Sequence, residues 1–231
     1  MTCDSAGAVL FDIDGTLVDS NYLHVFAWQR AFVRAGHPVD SWRIHRAIGM
    51  GSDQLLEALL GEQADAIGDT AKKAHSEEYA GLSDLLRPFS HANDLVRAVA
   101  RAGAKVVLAT SASPEELERL RATLGVEDSV AEITSSQDVE RAKPEPDLVQ
   151  VALQRAEVPA DHAVFVGDTV WDVQAAGRAG VPCIGVLTGG VSEAELTEAG
   201  AVAVYEDAAT LLRDLEQSPL TRAWQGLPRR S

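Results

Sequence analysis

The chain has 231 residues, of which 46% are hydrophobic and 24% charged, and its formal net charge is −15. This composition is typical of a globular protein with a sizeable core, and the negative charge disfavours nucleic acids and anionic membranes as partners because both repel an acidic surface. We see no run of about 18 apolar residues that could span a bilayer, and no basic, apolar leader at the N-terminus. The two cysteines, Cys3 and Cys183, indicate no disulfide framework, so we expect a cytoplasmic protein.

An apolar strand followed by two acidic residues opens the chain. Residues 8–11 show little polar alternation, which is typical of a parallel strand buried on both faces. Asp12 and Asp14 come directly after it, and residues two apart in an extended chain point to the same side. Because neighbouring buried carboxylates repel one another, a cation or a chemical task would have to compensate. The alternative is a loop with solvated acids.

A long helical stretch follows this strand. Residues 21–88 have helical periodicity and no convincing strand. They are numerous enough to form a small bundle, so we assign residues 20–88 to an inserted all-helical domain and residues 1–19 and 89–231 to the core. The predicted helices of the insertion span 21–35, 41–48, 52–60 and 65–79.

Strands and helices alternate along the chain from residue 91 onward. We predict strands at 105–110, 130–134, 163–167, 181–187 and 201–204. We predict helices at 92–102, 114–124, 146–156, 171–179 and 208–215. This alternation predicts an α/β fold, a Rossmann-like parallel sheet with helices on both faces. Residues 218–231 contain two prolines and have weak periodicity, so we expect a disordered tail there.

Polar residues follow several of these strands, at the edge of a parallel sheet where ligands bind. They are Asp12 and Asp14 after the first strand, Thr110 and Ser111 after the second, Lys143 in a loop before a helix, and Asp168 and Asp172 after the strand at 163–167. Four acids, a hydroxyl pair and one cation suit phosphoryl transfer. Carboxylate oxygens are ligands for Mg²⁺, an ammonium neutralises phosphate charge, and a carboxylate can act as nucleophile while a second one transfers protons.

Each of these later residues has a structural alternative. Thr110 and Ser111 could cap a helix, and Lys143 could be a solvated surface lysine. Asp168 could be a turn residue, and Asp172 could be an acid in a first helical turn, where the helix dipole favours it. Their joint occurrence is what favours a functional site.

The run Phe11-Asp12-Ile13-Asp14-Gly15-Thr16-Leu17 resembles the first motif of the haloacid dehalogenase superfamily of phosphatases and phosphomutases. The later motifs follow in the order of that family over nearly the whole chain. The resemblance implies that Asp12 is the nucleophile and that Asp14 is the general acid and then the base. Dehalogenating members lack the second acid and use no Mg²⁺, so Asp14 argues against halide release.

The same resemblance implies roles for the remaining motif residues. Thr110 would bind the phosphoryl group with Ser111 beside it, and Lys143 would pair with the phosphate and with the nucleophile. Asp168 would bind Mg²⁺ together with Asp12 and the backbone carbonyl of Asp14. Asp172 would not bind the metal directly, but would contact one of its ligands or a water bound to it.

The helical insertion resembles the type-1 cap of this superfamily, which closes over the site, excludes water and contacts the leaving group. Substrate choice is therefore expected in residues 21–88. The candidate substrate residues are His24 in the first cap helix, Arg46 in a cluster with Arg43 and His45, and Lys73 in a cluster with Lys72 and His75. The alternatives are a packed histidine and two solvated helix faces.

The resemblance implies a Mg²⁺-dependent phosphatase acting on a small phosphorylated metabolite, and we favour a phosphoglycolate-type monoester. The alternative is a phosphomutase of the β-phosphoglucomutase type. Those enzymes carry an arginine where this chain has Gly49-Met50-Gly51-Ser52-Asp53, which weakens that alternative. A third hypothesis is a module that only senses a phosphorylated ligand. The chain argues against it because no catalytic position of the family is replaced. We expect a monomer or homodimer.

Overall fold

A computed structural model describes residues 6–225 of the chain, in which six strands form one parallel sheet. The strands are β1 (Ala8–Phe11), β2 (Lys105–Ala109), β3 (Glu132–Thr134), β4 (Ala163–Gly167), β5 (Cys183–Val186) and β6 (Ala203–Tyr205). Their order is β3-β2-β1-β4-β5-β6, and every pairing is parallel. The predicted fold class is confirmed, with the ends of the predicted elements shifted by two residues at most.

Both faces of the central strand β1 are buried, which explains why it is apolar at every position. Val9 and Phe11 belong to the core cluster on one face of the sheet, and Ala8 and Leu10 belong to the cluster on the other face. Successive side chains of a strand point to opposite faces. An alternating pattern would have left one face polar, so the unbroken apolar run is the signature of this two-sided core.

Four α-helices follow β1 directly along the chain. They are α1 (Asn21–Arg34), α2 (Ser41–Ala47), α3 (Ser52–Leu60) and α4 (Ala64–Ala80). Their inward side chains form a separate apolar cluster that contains Trp28, Phe32 and Ile44. We call residues 21–80 the helical insertion, since it has its own core and interrupts the connection from β1 to β2.

In the described part of the chain, seven further α-helices belong to the core that contains the sheet. They are α5 (Ala92–Arg101), α6 (Pro114–Leu124), α7 (Asp147–Ala156), α8 (Val170–Arg178), α9 (Glu193–Ala199), α10 (Ala208–Arg213) and α11 (Arg222–Gln225). Helices α5, α6 and α10 pack on one face, and α7, α8 and α9 on the other. Within residues 6–225, no helix combines the length and the apolar character needed to cross a bilayer.

Residues 218–225 are folded, which corrects the expectation of a disordered tail for this part of the chain. Leu220 and Ala223 are buried in the core cluster, and the Gly7 N–H donates to the Ala223 carbonyl over 2.8 Å. Two buried positions in a short segment with a proline are too few for a periodic pattern to show. Residues 226–231 and Cys3 lie outside the described residues, and Cys183 is a free, buried thiol.

The strand order places a topological switch at the centre of the sheet. From β1 the chain moves outward to β2 and β3, and it then returns to β4 on the opposite side of β1. In open sheets of this kind, ligands bind where the direction of progression reverses, outside the carboxyl ends of the strands. The polar residues that follow β1 and β4 lie at this switch.

Candidate active site

Three buried carboxylates meet at the switch between β1 and β4. One carboxylate oxygen each of Asp12, Asp168 and Asp172 lies within 4.8 Å of the others, and all three residues are buried. The backbone pairing of the two strands brings them together, since the Asp12 N–H donates to the Val166 carbonyl over 3.0 Å. We call these three residues the carboxylate cluster.

Within residues 6–225, Lys143 is the one cation that contacts the carboxylate cluster. Its Nζ lies 3.0 Å from Asp12 Oδ1 and 2.7 Å from Asp172 Oδ1, and its side chain is 1% exposed. Burial alone would lower the pKa of the ammonium, but the two carboxylates raise it above its ordinary value. The alternative of a solvated surface lysine is therefore excluded.

The electrostatics of the cluster fit a divalent cation. Burial, followed by the repulsion of neighbouring carboxylates, raises the pKa of Asp12 well above its ordinary value in spite of Lys143. Burial and the charge of Asp172 raise the pKa of Asp168 to about 7. Three buried carboxylates against one lysine leave negative charge uncompensated, and their hard oxygen atoms are the donors that Mg²⁺ and similar ions prefer.

Hydrogen bonds fix the acids that follow β4. Thr16 Oγ1 and Asn21 Nδ2 each donate to an oxygen of Asp168 over 2.7 Å. Asp172 accepts from the Thr169 N–H and hydroxyl as the acidic partner of a capping box at the start of α8. The helix-turn alternative for Asp172 is thus correct, and the same carboxylate also pairs with Lys143.

Asp14 lies beside the cluster and contacts hydroxyl and imidazole groups. Ser20 Oγ donates to its Oδ1 over 2.6 Å, His24 Nε2 lies 3.4 Å from that oxygen, and Thr110 Oγ1 lies 3.5 Å from Oδ2. Burial alone would raise the pKa of Asp14, but the contacts with His24 and Ser20, followed by the charge of Lys143, lower it below its ordinary value.

The hydroxyl pair after β2 does not cap the next helix. Ser113 is the N-cap of α6 and forms a capping box with Glu116. Thr110 instead accepts from the Ala112 N–H over 3.0 Å, while Ser111 Oγ is buried and has no hydrogen-bond partner among the described residues. An unpaired buried hydroxyl is costly unless a ligand completes it.

Two stacked histidines connect Asp14 to Glu116. His24 Nδ1 lies 3.1 Å from His75 Nε2, and His75 Nδ1 lies 4.0 Å from Glu116 Oε1. Burial and the proximity of His24 lower the pKa of His75 well below its ordinary value, so this imidazole is neutral. Glu116 belongs to none of the sequence motifs. No local pattern predicts the link between His24 and His75, because it depends on the packing of α1 against α4.

The loop between α2 and α3 packs tightly on the core. A Cβ atom at Gly51 would overlap the side chain of Ala142, and one at Gly49 would come within 2.8 Å of Thr169 side-chain atoms. Gln54 Nε2 donates to the Ala142 carbonyl over 3.1 Å. These contacts need the glycines, and they hold the helical insertion over the strand ends.

The other predicted substrate residues of the insertion lie elsewhere. Arg46 pairs with Glu195 of α9, and the neighbouring His45 Nε2 lies 2.9 Å from the Gly189 carbonyl. Lys73 is exposed on α4. Neither Arg46 nor Lys73 lines the cavity between the insertion and the core, whereas His24 does.

That cavity has a volume of about 500 Å³. It is lined by Asp12, Asp14, Thr110, Ser111 and Lys143 at the strand ends and by residues of α1, α3 and α4 on the opposite side. This volume is within the usual range for small-molecule sites. Nucleophile, proton-transfer and phosphate-binding candidates therefore share one cavity.

The fold and the site together define an enzyme, a hydrolase with a Rossmann-like core. Residues 6–180 match the sequence model of the haloacid dehalogenase-like hydrolases, and the chain belongs to this family. The family predicted from the motifs is confirmed. An enzyme of the phosphoric monoester hydrolase type is confirmed with it.

Relatives with curated names cover most of the chain. A phosphorylated carbohydrates phosphatase of Thermotoga maritima is 31% identical over 86% of this chain and 94% of its own. A phosphoglycolate phosphatase of Rhodospirillum rubrum is 29% identical over 88% of each. Among solved structures, a hydrolase from Pseudomonas syringae has a TM-score of 0.86 at 32% identity, covering 91% of this chain and 98% of that one.

Proposed function

We propose that this chain is a Mg²⁺-dependent phosphatase that hydrolyses a small phosphorylated metabolite through an aspartyl-phosphate on Asp12. The observation that carries the proposal is the buried ion pair between Lys143 Nζ and Asp12 Oδ1 at 3.0 Å, beside a second acid at Asp14. A carboxylate held this way is oriented toward the cavity, and the lysine stands ready to neutralise phosphoryl oxygens.

The metal site would consist of Asp12, Asp168 and the backbone carbonyl of Asp14. The excess of buried carboxylates over lysine supports this assignment. When bound, Mg²⁺ supplies positive charge that stabilises the phosphoryl oxygens in the transition state. Asp172 would lie just outside the ion, where its pairing with Lys143 fixes the ammonium.

In the first half-reaction, an Asp12 oxygen bonds to phosphorus as the bond from phosphorus to the leaving oxygen breaks. Asp14 gives its proton to that oxygen. The arriving phosphate dianion raises the pKa of Asp14, since a like charge disfavours the carboxylate. Lys143, Thr110 and Ser111 donate to the phosphoryl oxygens. The Ser111 hydroxyl, which is buried and has no partner in the described part of the chain, supports this role.

In the second half-reaction, Asp14 acts as a base. It takes a proton from water, whose oxygen attacks phosphorus and releases Asp12 as a carboxylate. The hydrogen bond from Ser20 and the contact with His24 hold Asp14 in place and favour its ionised form, as a base requires.

The helical insertion acts as a cap in this scheme, and we propose that the cap, with the segments that join it to the core, spans residues 20–88. Its contacts with the core surround the strand ends, so closing it keeps bulk water away from the phosphoryl group. A phosphomutase would instead have to hold a second phosphate, for which the loop at 49–53 has no cation. The cytoplasmic location and the oligomeric state stay predictions from the sequence.

The test is release of inorganic phosphate from a panel of phosphorylated metabolites. Activity should require Mg²⁺, disappear with EDTA, and fall to background in Asp12→Asn. Asp19→Asn, a nearby partly exposed acid, is the matched control and should keep full activity. Turnover by Asp12→Asn at the wild-type rate would refute the assigned nucleophile, and isomerisation without phosphate release would favour the mutase.

A further inference from the structure

Every cation that lines the cavity is already paired with a carboxylate of the protein. Lys143 is held by the carboxylate cluster, and Lys72 pairs with Asp53. Arg141 donates to both oxygens of Asp147, over 3.3 Å and 3.0 Å. Among the described residues, each lysine or arginine of the cavity wall therefore already has a carboxylate partner, with which a second anionic group of a substrate would have to compete.

Three acids of the same wall have no cationic partner within residues 6–225. They are Glu57, Glu116 and Glu140. No lysine or arginine lies within ion-pair distance of them, and the one histidine near Glu116 is neutral. Glu57 and Glu140 are exposed, where water and salt screen their charge. The Glu116 side chain is only 13% exposed, so its charge acts on the cavity with little screening.

Glu116 is also fixed in position and close to the proton-transfer group. Its Oε2 accepts from the Ser113 N–H over 2.9 Å, and Ser113 lines the cavity as well. His75 and His24 connect its other oxygen to Asp14. Since Asp14 is the proposed donor to the leaving oxygen, Glu116 faces the side on which the leaving group lies.

The remaining wall suits hydroxyl groups. It offers neutral polar side chains at Ser52, Gln54, Ser76, Ser113 and Ser136, and apolar surface at Trp28, Ile48, Met50, Leu55 and Val139. The bond from Gln54 Nε2 to the Ala142 carbonyl fixes the orientation of that amide. Gln54 Oε1 is buried and has no hydrogen-bond donor within residues 6–225; a hydroxyl can supply one and a carboxylate cannot.

From these observations we infer that the leaving group of the substrate is an uncharged polyhydroxyl group, as in a sugar or polyol phosphate, and that Glu116 disfavours leaving groups that carry a carboxylate. The inference rests on the phosphatase function proposed above. It argues against the phosphoglycolate-type substrate that the sequence favoured, because a second anion would lie near Glu116 without a cation to neutralise it.

Matched pairs of substrates test this inference. In each pair, one compound has a neutral leaving group and the other has a similar leaving group that carries a carboxylate. The pairs are 2-hydroxyethyl phosphate with 2-phosphoglycolate, glycerol 3-phosphate with 3-phosphoglycerate, and glucose 6-phosphate with 6-phosphogluconate. We expect kcat/KM to be at least about ten-fold higher for the neutral member of each pair that is hydrolysed, as expected for one like-charge contact with partial screening. Equal or better hydrolysis of the carboxylated members would overturn the inference.

The variant Glu116→Gln assigns the discrimination to one residue. Glutamine also serves as the third residue of a capping box, so the start of α6 is retained. The ratio of kcat/KM for the neutral member to kcat/KM for the carboxylated member should fall at least about three-fold. The main cause should be a lower KM for the carboxylated member. Glu115→Gln, an exposed neighbour outside the cavity, should leave the ratio unchanged. An unchanged ratio in Glu116→Gln would contradict the assignment.

A second variant keeps the test decisive if Glu116→Gln does not fold. Glu140→Lys places a cation on the exposed rim of the cavity and should lower the ratio about two-fold or more, since it offers the carboxylate a partner. An unchanged ratio there would count against the inference. Absence of phosphate release from every compound would instead reject the proposed phosphatase function, so the two failures are distinguishable.

Discussion

The two sides of the cavity are built differently. At the strand ends, the acids of the carboxylate cluster are buried and held by short contacts, as Lys143 holds Asp12 and as Thr16 and Asn21 hold Asp168. On the side of the helical insertion, the polar residues are largely exposed, as Ser76 and Glu57 are. The strand-end side therefore resembles a preorganised reaction centre, and the opposite side a surface that can change between relatives without disturbing the fold.

Replacing a lysine on each side of the cavity should give the largest difference in activity and stability between the two sides. Lys143→Met removes the cation that pairs with Asp12 and Asp172, so kcat/KM should fall at least about 10²–10³-fold. The free energy of unfolding should also fall by about 3 kcal/mol, because buried carboxylates lose their partner. Lys73→Met, an exposed change on α4, should alter neither quantity measurably. Steady-state kinetics and urea unfolding measure both, and more than a tenth of wild-type activity in Lys143→Met would contradict the contrast.

A smaller contrast is expected for serines. The Ser111 hydroxyl has no partner among the described residues, so Ser111→Ala should not lower stability. The value of kcat/KM should fall about 10–100-fold, which corresponds to the loss of a hydrogen bond to a charged group. Ser76→Ala, on the opposite wall of the cavity, should lower kcat/KM less than about three-fold. Equal losses in the two variants would show that Ser111 is not specialised for the phosphoryl group.

The smallest effect is expected for Arg46. Its ion pair with Glu195 is exposed, and such pairs contribute about 0.2–1 kcal/mol. Arg46→Ala should therefore change kcat/KM less than about two-fold for any substrate of the panel. A ten-fold rise in KM would restore Arg46 as a substrate residue and would mean that the insertion closes differently when substrate is bound.

Sequence reasoning located one side of the cavity and missed much of the other, for a physical reason. Asp12, Asp14, Lys143 and Asp168 lie at strand ends or in a loop beside them, and parallel pairing alone brings such residues to one edge. The link from His24 through His75 to Glu116 joins three helices that are distant in the chain, so no local pattern contains it. For the same reason, the charge pattern of α2 could not show that Arg46 faces α9.

The folded segment at 218–225 was also missed because its burial depends on residues that are distant in the chain. The six strands and most of the helices between them were predictable from periodicity. Helix α9 was not predicted, because it is short and Leu196 is its single buried residue. Leu220 and Ala223 are buried by a core that the rest of the chain builds, and their own segment carries too few apolar positions to predict it.

The most direct test of the central claim is the capture of a phosphoryl group on Asp12. In Asp14→Asn the base for the second half-reaction is lost, while p-nitrophenyl phosphate has a leaving group that needs no proton. We predict a burst of one equivalent of nitrophenolate, with one phosphoryl group attached to Asp12 when the acid-quenched protein is digested and analysed by mass spectrometry. Attachment to another residue, or nitrophenolate release with no phosphoryl group on the protein, would contradict the account.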